Sequence, residues 1–301
     1  MSHPDPEGQF SLLKKTRFAP FFWTQFLGAF NDNVYKNALV LIIAFQAART
    51  LSASSDVLVN LAAGLFILPF FIFSATAGNL ADKYEKSQLI RWVKLLEIGI
   101  MLLASVAFYF DSIEGLMLLL FLMGTQSTFF GPVKYSIMPQ HLKSDELVGG
   151  NALVEMGTFV SILLATIGAG IIMQFDNYLI ITAVSIVVLS VLGYISSRAI
   201  PNAPPSDSSL VISYNIFKTT VAVISKTRET RSIFLAIMAI SWFWFLGASY
   251  LTQFPVFAKD VLHGDPSLVT LLLAVFSLGI GLGSIMCEKL SGEHVELGIV
   301  P

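Results

Sequence analysis

The chain alternates between long apolar runs and short polar interruptions. Windows of about 20 residues, the length that crosses a bilayer as a helix, mark eight such runs, at 18–46, 57–80, 88–110, 114–137, 147–173, 178–197, 232–258 and 267–288. One longer polar stretch separates the sixth from the seventh and opens with the loop signal PNAPPSDSS. It continues as LVISYNIFKTTVAVISKTRETR, with apolar residues at helical spacing among Lys218, Lys226, Arg228 and Arg231. That pattern suits a helix lying on the cytoplasmic membrane face. An ordinary soluble linker helix is the competing reading.

Composition and charge turn the runs into a topology. Only 13% of the 301 residues are charged, about half of the ~25% usual in soluble domains, and mean hydropathy is +0.74. These values describe an all-helical, multi-pass membrane protein. With the N-terminus cytoplasmic, of the 18 Lys and Arg only Arg49 and Lys259 fall outside, and Lys36 falls within the first run. This is a strong positive-inside bias. The polar tail 1–17 precedes a run too long for a signal-peptide core, so the first run reads as an uncleaved span. The single cysteine, Cys287, leaves no internal disulfide, and His3, His141, His263 and His294 show no metal-ligand spacing. No cofactor and no nucleic-acid partner are expected.

The chain also repeats itself. Trp23-x-x-Phe26-Leu27-Gly28-Ala29 returns as Trp242-x-x-Phe245-Leu246-Gly247-Ala248, an offset of 219. Leu58-Val59-x-Leu61 with Phe66 returns as Leu268-Val269-x-Leu271 with Phe276, an offset of 210. Span one matching span seven, and two matching eight, is the signature of a six-plus-six transporter with parallel halves. It predicts related close-packing positions for Gly28 and Gly247. The expected organisation is a cytoplasmic tail (1–17), a six-helix bundle (18–197), a cytoplasmic linker (198–230) and the start of a second bundle (231–301). The closing GEHVELGIVP reads as an apolar segment just beginning, hence a second half cut short, with a genuine eight-span protein as the alternative.

Polar groups inside the runs are the candidate site. FLGAFNDNVYKNAL carries Asn31, Asp32, Asn33, Lys36 and Asn37 within span one. At about 1.5 Å per residue, Asp32 lies roughly 18 Å beyond Pro20, near mid-membrane. Gln25, Gly28, Asp32 and Lys36 share one helical stripe, and Asp32 and Lys36 stand four apart in the favourable acid-first order for a pair. A charge at the bilayer centre costs at least about 2.5–3.5 kcal/mol, which favours a wet cavity or a structural ion pair. Span four carries Gln126, Ser127 and Thr128, then Lys134 before Pro139, and span five places Glu155 at a depth comparable to Lys134. Those two suit an interhelical pair, with a snorkelling Lys134 as the competing reading. Glu97 with Lys94 reads as a local pair near the interface. Gly279, Gly281 and Gly283 read as small-residue packing in the last span.

After span two comes Gly78-Asn79-Leu80-Ala81-Asp82-Lys83-Tyr84-Glu85-Lys86. It resembles the G-x-L-A-D-R/K-x-G-R/K-R/K signature of the major facilitator superfamily. Glu85 stands where glycine is usual and Ser87 where a base is usual. The resemblance implies a major facilitator fold in which Gly78, Asp82, Lys83 and Lys86 latch the two halves on the cytoplasmic side. Gly78 would admit close backbone approach, and Asp82 would cap or pair at the start of the third span. FLGAFNDNVYKNAL, FGPVKYSIMPQHL and DELVGGNALVEMGTF are further similar to the bacterial lysophospholipid transporter family, over most of 15–295. That resemblance implies import of lysophospholipids, chiefly lysophosphatidylethanolamine, across the inner membrane for re-acylation by a cytoplasmic acyltransferase or acyl-acyl-carrier-protein synthetase. Gln25, Asn31, Asp32, Lys36, Gln126, Lys134 and Glu155 would meet the headgroup. A small-solute or drug exporter of the same fold and a non-transporting module that anchors an acyltransferase are the alternatives. Enzyme motifs are wanting: His141 has Asp145 four residues on, the wrong spacing for an acyltransferase H-x-x-x-x-D, and there is no Walker loop.

Overall fold

The computed structural model describes residues 8–45, 55–212, 215–263 and 266–292. His3, Arg49, His294 and the stretch beyond Gly292 lie outside the described residues. Among the described residues a 3-10 turn, Gln9–Lys14, leads into helices α1 (Ala19–Phe45), α2 (Ser55–Lys83), α3 (Lys86–Tyr109), α4 (Ile113–His141), α5 (Leu147–Ile172) and α6 (Tyr178–Arg198). Then come α7 (Ile216–Glu229), α8 (Arg231–Val256), a π-helical turn (Phe257–Val261) and α9 (Pro266–Ser291), with no strand among them.

Each of the eight apolar runs coincides with one helix, and α7 occupies the polar stretch. Two boundaries move. α2 continues to Lys83, so Gly78 and Asp82 sit in its last turns rather than in a loop. α4 continues to His141 through Pro132 and Pro139. Five helices (α2, α4, α5, α6 and α9) are long and apolar enough to cross a membrane, and α7 with α8 adds a sixth candidate as a pair bent by 117°. The chain is a multi-pass membrane protein.

α1 is the hub of the first six helices and touches α2, α4, α5 and α6. α2 runs along α4, α3 runs along α4 and α6, and α9 lies along α5. Lipid gives apolar helices no hydrophobic drive to associate, so close backbone approach and interhelical hydrogen bonds must hold them. Gly124 shows the first device: a Cβ there would collide with the Phe66 carbonyl of α2. Tyr35 shows the second, its buried hydroxyl donating to the Leu116 carbonyl of α4 at 2.6 Å. α6 shows the resulting sidedness. Thr182, Ile186, Ser190 and Ser197 are buried, while Ile180, Val184, Val188, Leu192 and Ile195 are exposed in the outward, lipid-facing direction.

The buried apolar residues form two clusters. One gathers Phe18, Phe21, Phe22, Ile90, Val133, Ile137 and Leu153. The other gathers Tyr35, Leu39, Ile42, Met101, Phe108, Leu120 and Ile186. On α1 the first cluster ends at Phe22 and the second begins at Val34. Between them lies a layer of buried polar groups, including Gln25, Asn31, Lys94, Glu97 and Gln126. The two repeat glycines are not packed alike. A Cβ on Gly28 would run into the Lys94 ammonium, whereas Gly247, and Gly279, Gly281 and Gly283 in α9, have nothing within 4 Å.

Candidate functional site

A cavity of about 630 Å³ opens in the polar layer, within the ~300–1,000 Å³ range of small-molecule sites. α1 lines it with Gln25, Gly28, Ala29, Asp32 and Asn33, positions that the 3.6-residue period places on one stripe. α2 supplies Phe66, Ile67 and Phe70, α3 supplies Lys94, and α4 supplies Gln126, Ser127, Phe130, Gly131, Lys134 and Tyr135. Thr158 of α5 and Trp244 of α8 complete the wall. Trp244 stacks on Phe159 of α5 with ring centroids 6.1 Å apart and planes 11° from parallel. The wall is therefore polar along α1 and the facing part of α4, and aromatic along α2 and α8.

Asp32 is held by α4, not by its neighbour on α1. The Ser127 hydroxyl donates to Asp32 Oδ2 at 2.6 Å. Asp32 Oδ1 is buried with no hydrogen-bond partner among the described residues. The Lys36 ammonium stands over the Phe66 ring, 5.5 Å from its centroid, and no Asp32–Lys36 ion pair forms among the described residues. The expected pair within α1 thus gives way to a contact between helices. A hydroxyl one helix away can approach Asp32 head-on, whereas Lys36 stands over an aromatic face.

Lys94 and Glu97 correct a second expectation. They are not interfacial: Lys94 Nζ donates to Glu97 Oε2 at 2.6 Å, and the side chains are 2% and 1% exposed. Asn31 Nδ2 donates to Glu97 Oε1 at 2.9 Å, and Gln126 Nε2 donates to Oε2 at 3.1 Å. The carboxylate is fully engaged by three helices. Asn31 therefore serves this buried network rather than the cavity wall. Lys94 does reach the wall, with its ammonium 5.2 Å from the Phe130 ring centroid.

The α4–α5 pair forms as the spacing suggests. Lys134 Nζ lies 3.9 Å from Glu155 Oε1 and donates to Thr158 Oγ1 at 3.1 Å. The Tyr135 hydroxyl donates to the same Glu155 oxygen at 2.7 Å. Thr158 also donates to Gln25 Oε1 at 3.2 Å, linking Gln25 to Lys134. Glu155 lies behind this group and not on the wall.

The sequence reading did not place Lys94, Thr158, Tyr135, Phe130 or Trp244 at the site. For Lys94 a signal existed. It lies eight residues into α3, about 12 Å from the helix start, too deep for an interface. The aromatic residues had none, because every span is rich in Phe and Trp.

At the end of the bundle that carries the N-terminus, the signature stretch acts through its backbone and through Glu85. Glu85 caps α3, accepting from the Ser87 and Gln88 amides, and also accepts from the Ala203 amide at 2.7 Å. Burial pushes the Glu85 carboxyl up, but these hydrogen bonds outweigh it and hold it below the usual range. Lys86 is buried and donates to the Pro204 carbonyl and the Ser206 hydroxyl. The Asp82 carbonyl accepts from the Asp207 amide at 3.0 Å. So Glu85, not Asp82, caps α3, and the stretch grips the segment after α6. Lys83 ends α2, and a Cβ on Gly78 would meet nothing within 4 Å, so no close approach depends on it. Nearby, Glu146 accepts from both Arg17 and Lys15. The Arg17 hydrogen bond is the main reason its carboxyl is held down at about 2.

Comparison with known proteins adds family evidence. The family model described as Major Facilitator Superfamily matches residues 21–298. The chain is 27% identical over 274 residues to the lysophospholipid transporter LplT of Escherichia fergusonii, covering 88% of this chain and 64% of that protein. It is 25% identical over 272 residues to LplT of Enterobacter sp. strain 638, with the same coverage. The chain thus spans just under two thirds of the length of these curated relatives. Among solved structures, a bacterial homologue of the iron transporter ferroportin in an outward-facing state superposes with a TM-score of 0.57 at 14% identity, covering 90% of this chain and 69% of that one. The POT family transporter PepTSo gives 0.53 at 15% identity, covering 91% and 54%.

Proposed function

Because this chain belongs to the major facilitator superfamily, we propose that it moves lysophospholipids, chiefly lysophosphatidylethanolamine, across a bacterial inner membrane by alternating access, with its N-terminus cytoplasmic. The observation that carries the reading is Asp32, a partly buried residue on the cavity wall, with one carboxylate oxygen bonded to Ser127 and the other shut from solvent with no hydrogen-bond partner among the described residues. A carboxylate oxygen shut from water and left unbonded is costly unless a donor or cation completes it, and the ammonium of a zwitterionic headgroup is such a cation. Lys134 on the same wall supplies the opposite charge for the phosphate. Phe66, Phe70, Phe130 and Trp244 offer an apolar surface for a single acyl chain. The names of the curated relatives support the same substrate class. The Lys and Arg bias supports the orientation, and a re-acylating acyltransferase or synthetase on the cytoplasmic side would consume the product. In this reading the grip of Glu85 and Lys86 on 203–206 belongs to the cytoplasmic gate.

The test is reconstitution of the full chain in vesicles with spin-labelled lysophosphatidylethanolamine. The expected result is protein-dependent movement between leaflets that Asp32→Asn abolishes while the variant stays folded and inserted. Normal movement with Asp32→Asn, or none with the folded unaltered chain, overturns the proposal.

A further inference from the structure

We infer that α7 docks on an anionic lipid surface, inserting Phe217, Val221 and Ile224 among the acyl chains beneath the headgroups. The first observation is how this 14-residue helix divides its faces. Thr219 is buried and turned inward, at 5% exposed, on the side where α7 meets α2. Phe217, Val221 and Ile224 are 86%, 66% and 47% exposed. Their spacing of four and then three residues puts them on one face. Lys218, Ala222 and Glu229, also exposed, lie about 100° to 140° round the helix from Phe217, on a separate, polar side. One side thus meets protein, one is polar, and the third is apolar with no protein against it among the described residues.

The second observation is direction. α7 turns into α8 through 117°, which sets its axis within about 30° of perpendicular to α8. α8 has 26 residues, about 39 Å of helix, enough to cross a bilayer. A helix nearly perpendicular to a crossing helix, and joined to it by Thr230 alone, lies along the membrane surface at the level of the headgroups.

The third is charge. Between Ile216 and Arg231 stand Lys218, Lys226, Arg228 and Arg231 against the single acid Glu229. The Arg228 guanidinium lies 5.8 Å from the Phe234 ring centroid, at the corner where α7 meets α8. An apolar face flanked by bases, on a helix lying in the surface plane, complements anionic headgroups over acyl chains. A water-facing linker helix would not keep Phe217 as its most exposed apolar residue.

The test uses the full chain with Cys287→Ser, carrying one new cysteine at a time (Phe217→Cys, Val221→Cys, Ile224→Cys, or Ala222→Cys on the polar side). Each is labelled with an environment-sensitive fluorophore, and size exclusion confirms folding. The protein is placed in nanodiscs of phosphatidylcholine alone or with phosphatidylglycerol. Labels at 217, 221 and 224 should emit blue-shifted and be quenched by lipids spin-labelled near the headgroup, and the label at 222 should not. Adding phosphatidylglycerol should deepen the quenching at least twofold, and charge reversal at Lys218, Lys226 and Arg228 together should abolish that gain. Equal, water-like emission on both faces overturns the docking. Blue-shifted emission without lipid quenching also overturns it, since the face would then be covered by protein. Quenching that ignores phosphatidylglycerol overturns the anionic preference. None of these readouts depends on transport.

Discussion

Replacing Glu97 with Gln would remove the negative end of the innermost ion pair and leave the Lys94 ammonium stranded. Glu97 accepts from Lys94, Asn31 and Gln126 at 2.6, 2.9 and 3.1 Å, and both charged side chains are almost wholly buried. The Lys94 ammonium packs against α1 in the space that a Cβ on Gly28 would need. Breaking a buried pair from one side costs about 3–5 kcal/mol, mostly the penalty of the unpaired charge. Glu97→Gln alone should therefore lower stability by about that amount. Adding Lys94→Met removes the stranded charge and should recover about 2–3 kcal/mol, a coupling within the range of contacting residues. The assay is a double-mutant cycle of denaturant unfolding in one detergent, followed by intrinsic fluorescence. If the double variant loses as much as the two single losses added together, Lys94 and Glu97 are not coupled and the buried-pair reasoning fails.

Two further changes probe other parts of the frame. Gly124→Ala should push α2 and α4 apart, because the new methyl meets the Phe66 backbone carbonyl, which cannot rotate away; a loss of about 1–3 kcal/mol in thermal unfolding is expected, and an unchanged midpoint would show that the crossing is looser than drawn. Glu146→Gln should weaken the tie to Lys15 and Arg17 by about 1 kcal/mol at neutral pH. The folded Glu146 carboxyl is depressed to about 2 from an ordinary 4.5, so its contribution is full above pH 4.5 and lost as pH falls toward 2. Unfolding midpoints of the unaltered and Glu146→Gln chains should converge across that window, and a gap that persists at its acid end would refute the assignment.

Much of this was legible in the sequence, and the failures share a cause. Gln25 and Asp32 stood out because polar residues at helical spacing inside an apolar run have few reasons to be there. Lys134 and Glu155 could be paired because both count from the same short loop. The Asp32–Lys36 pair was a local inference, and Ser127, distant in sequence, took the place of Lys36. Lys94 and Glu97 looked interfacial because their spacing suggested that they satisfied each other near the span's start. Only Asn31 and Gln126 from neighbouring helices show that the pair lies in the middle layer. Gly28 and Gly247 match in sequence, but the closeness at Gly28 belongs to Lys94, and Gly247 meets no equivalent group among the described residues. Period along one helix was readable; what a second helix brings against it was not.

The polar layer between the two apolar clusters also bears on how the chain enters the membrane. α1 and α3 are not among the helices apolar enough to cross alone, and each completes the other: Asn31 needs Glu97, and Asp32 needs Ser127 from α4. As the ribosome delivers the chain, α1 emerges before α3 and α4, with its carboxylate and amides unsatisfied. A single charge at the bilayer centre costs at least about 2.5–3.5 kcal/mol, so α1 should partition poorly until α3 and α4 arrive. Insertion of this protein is then a collective event of at least four helices. Fused to an insertion reporter, α1 alone should enter the bilayer far less often than the segment 8–141.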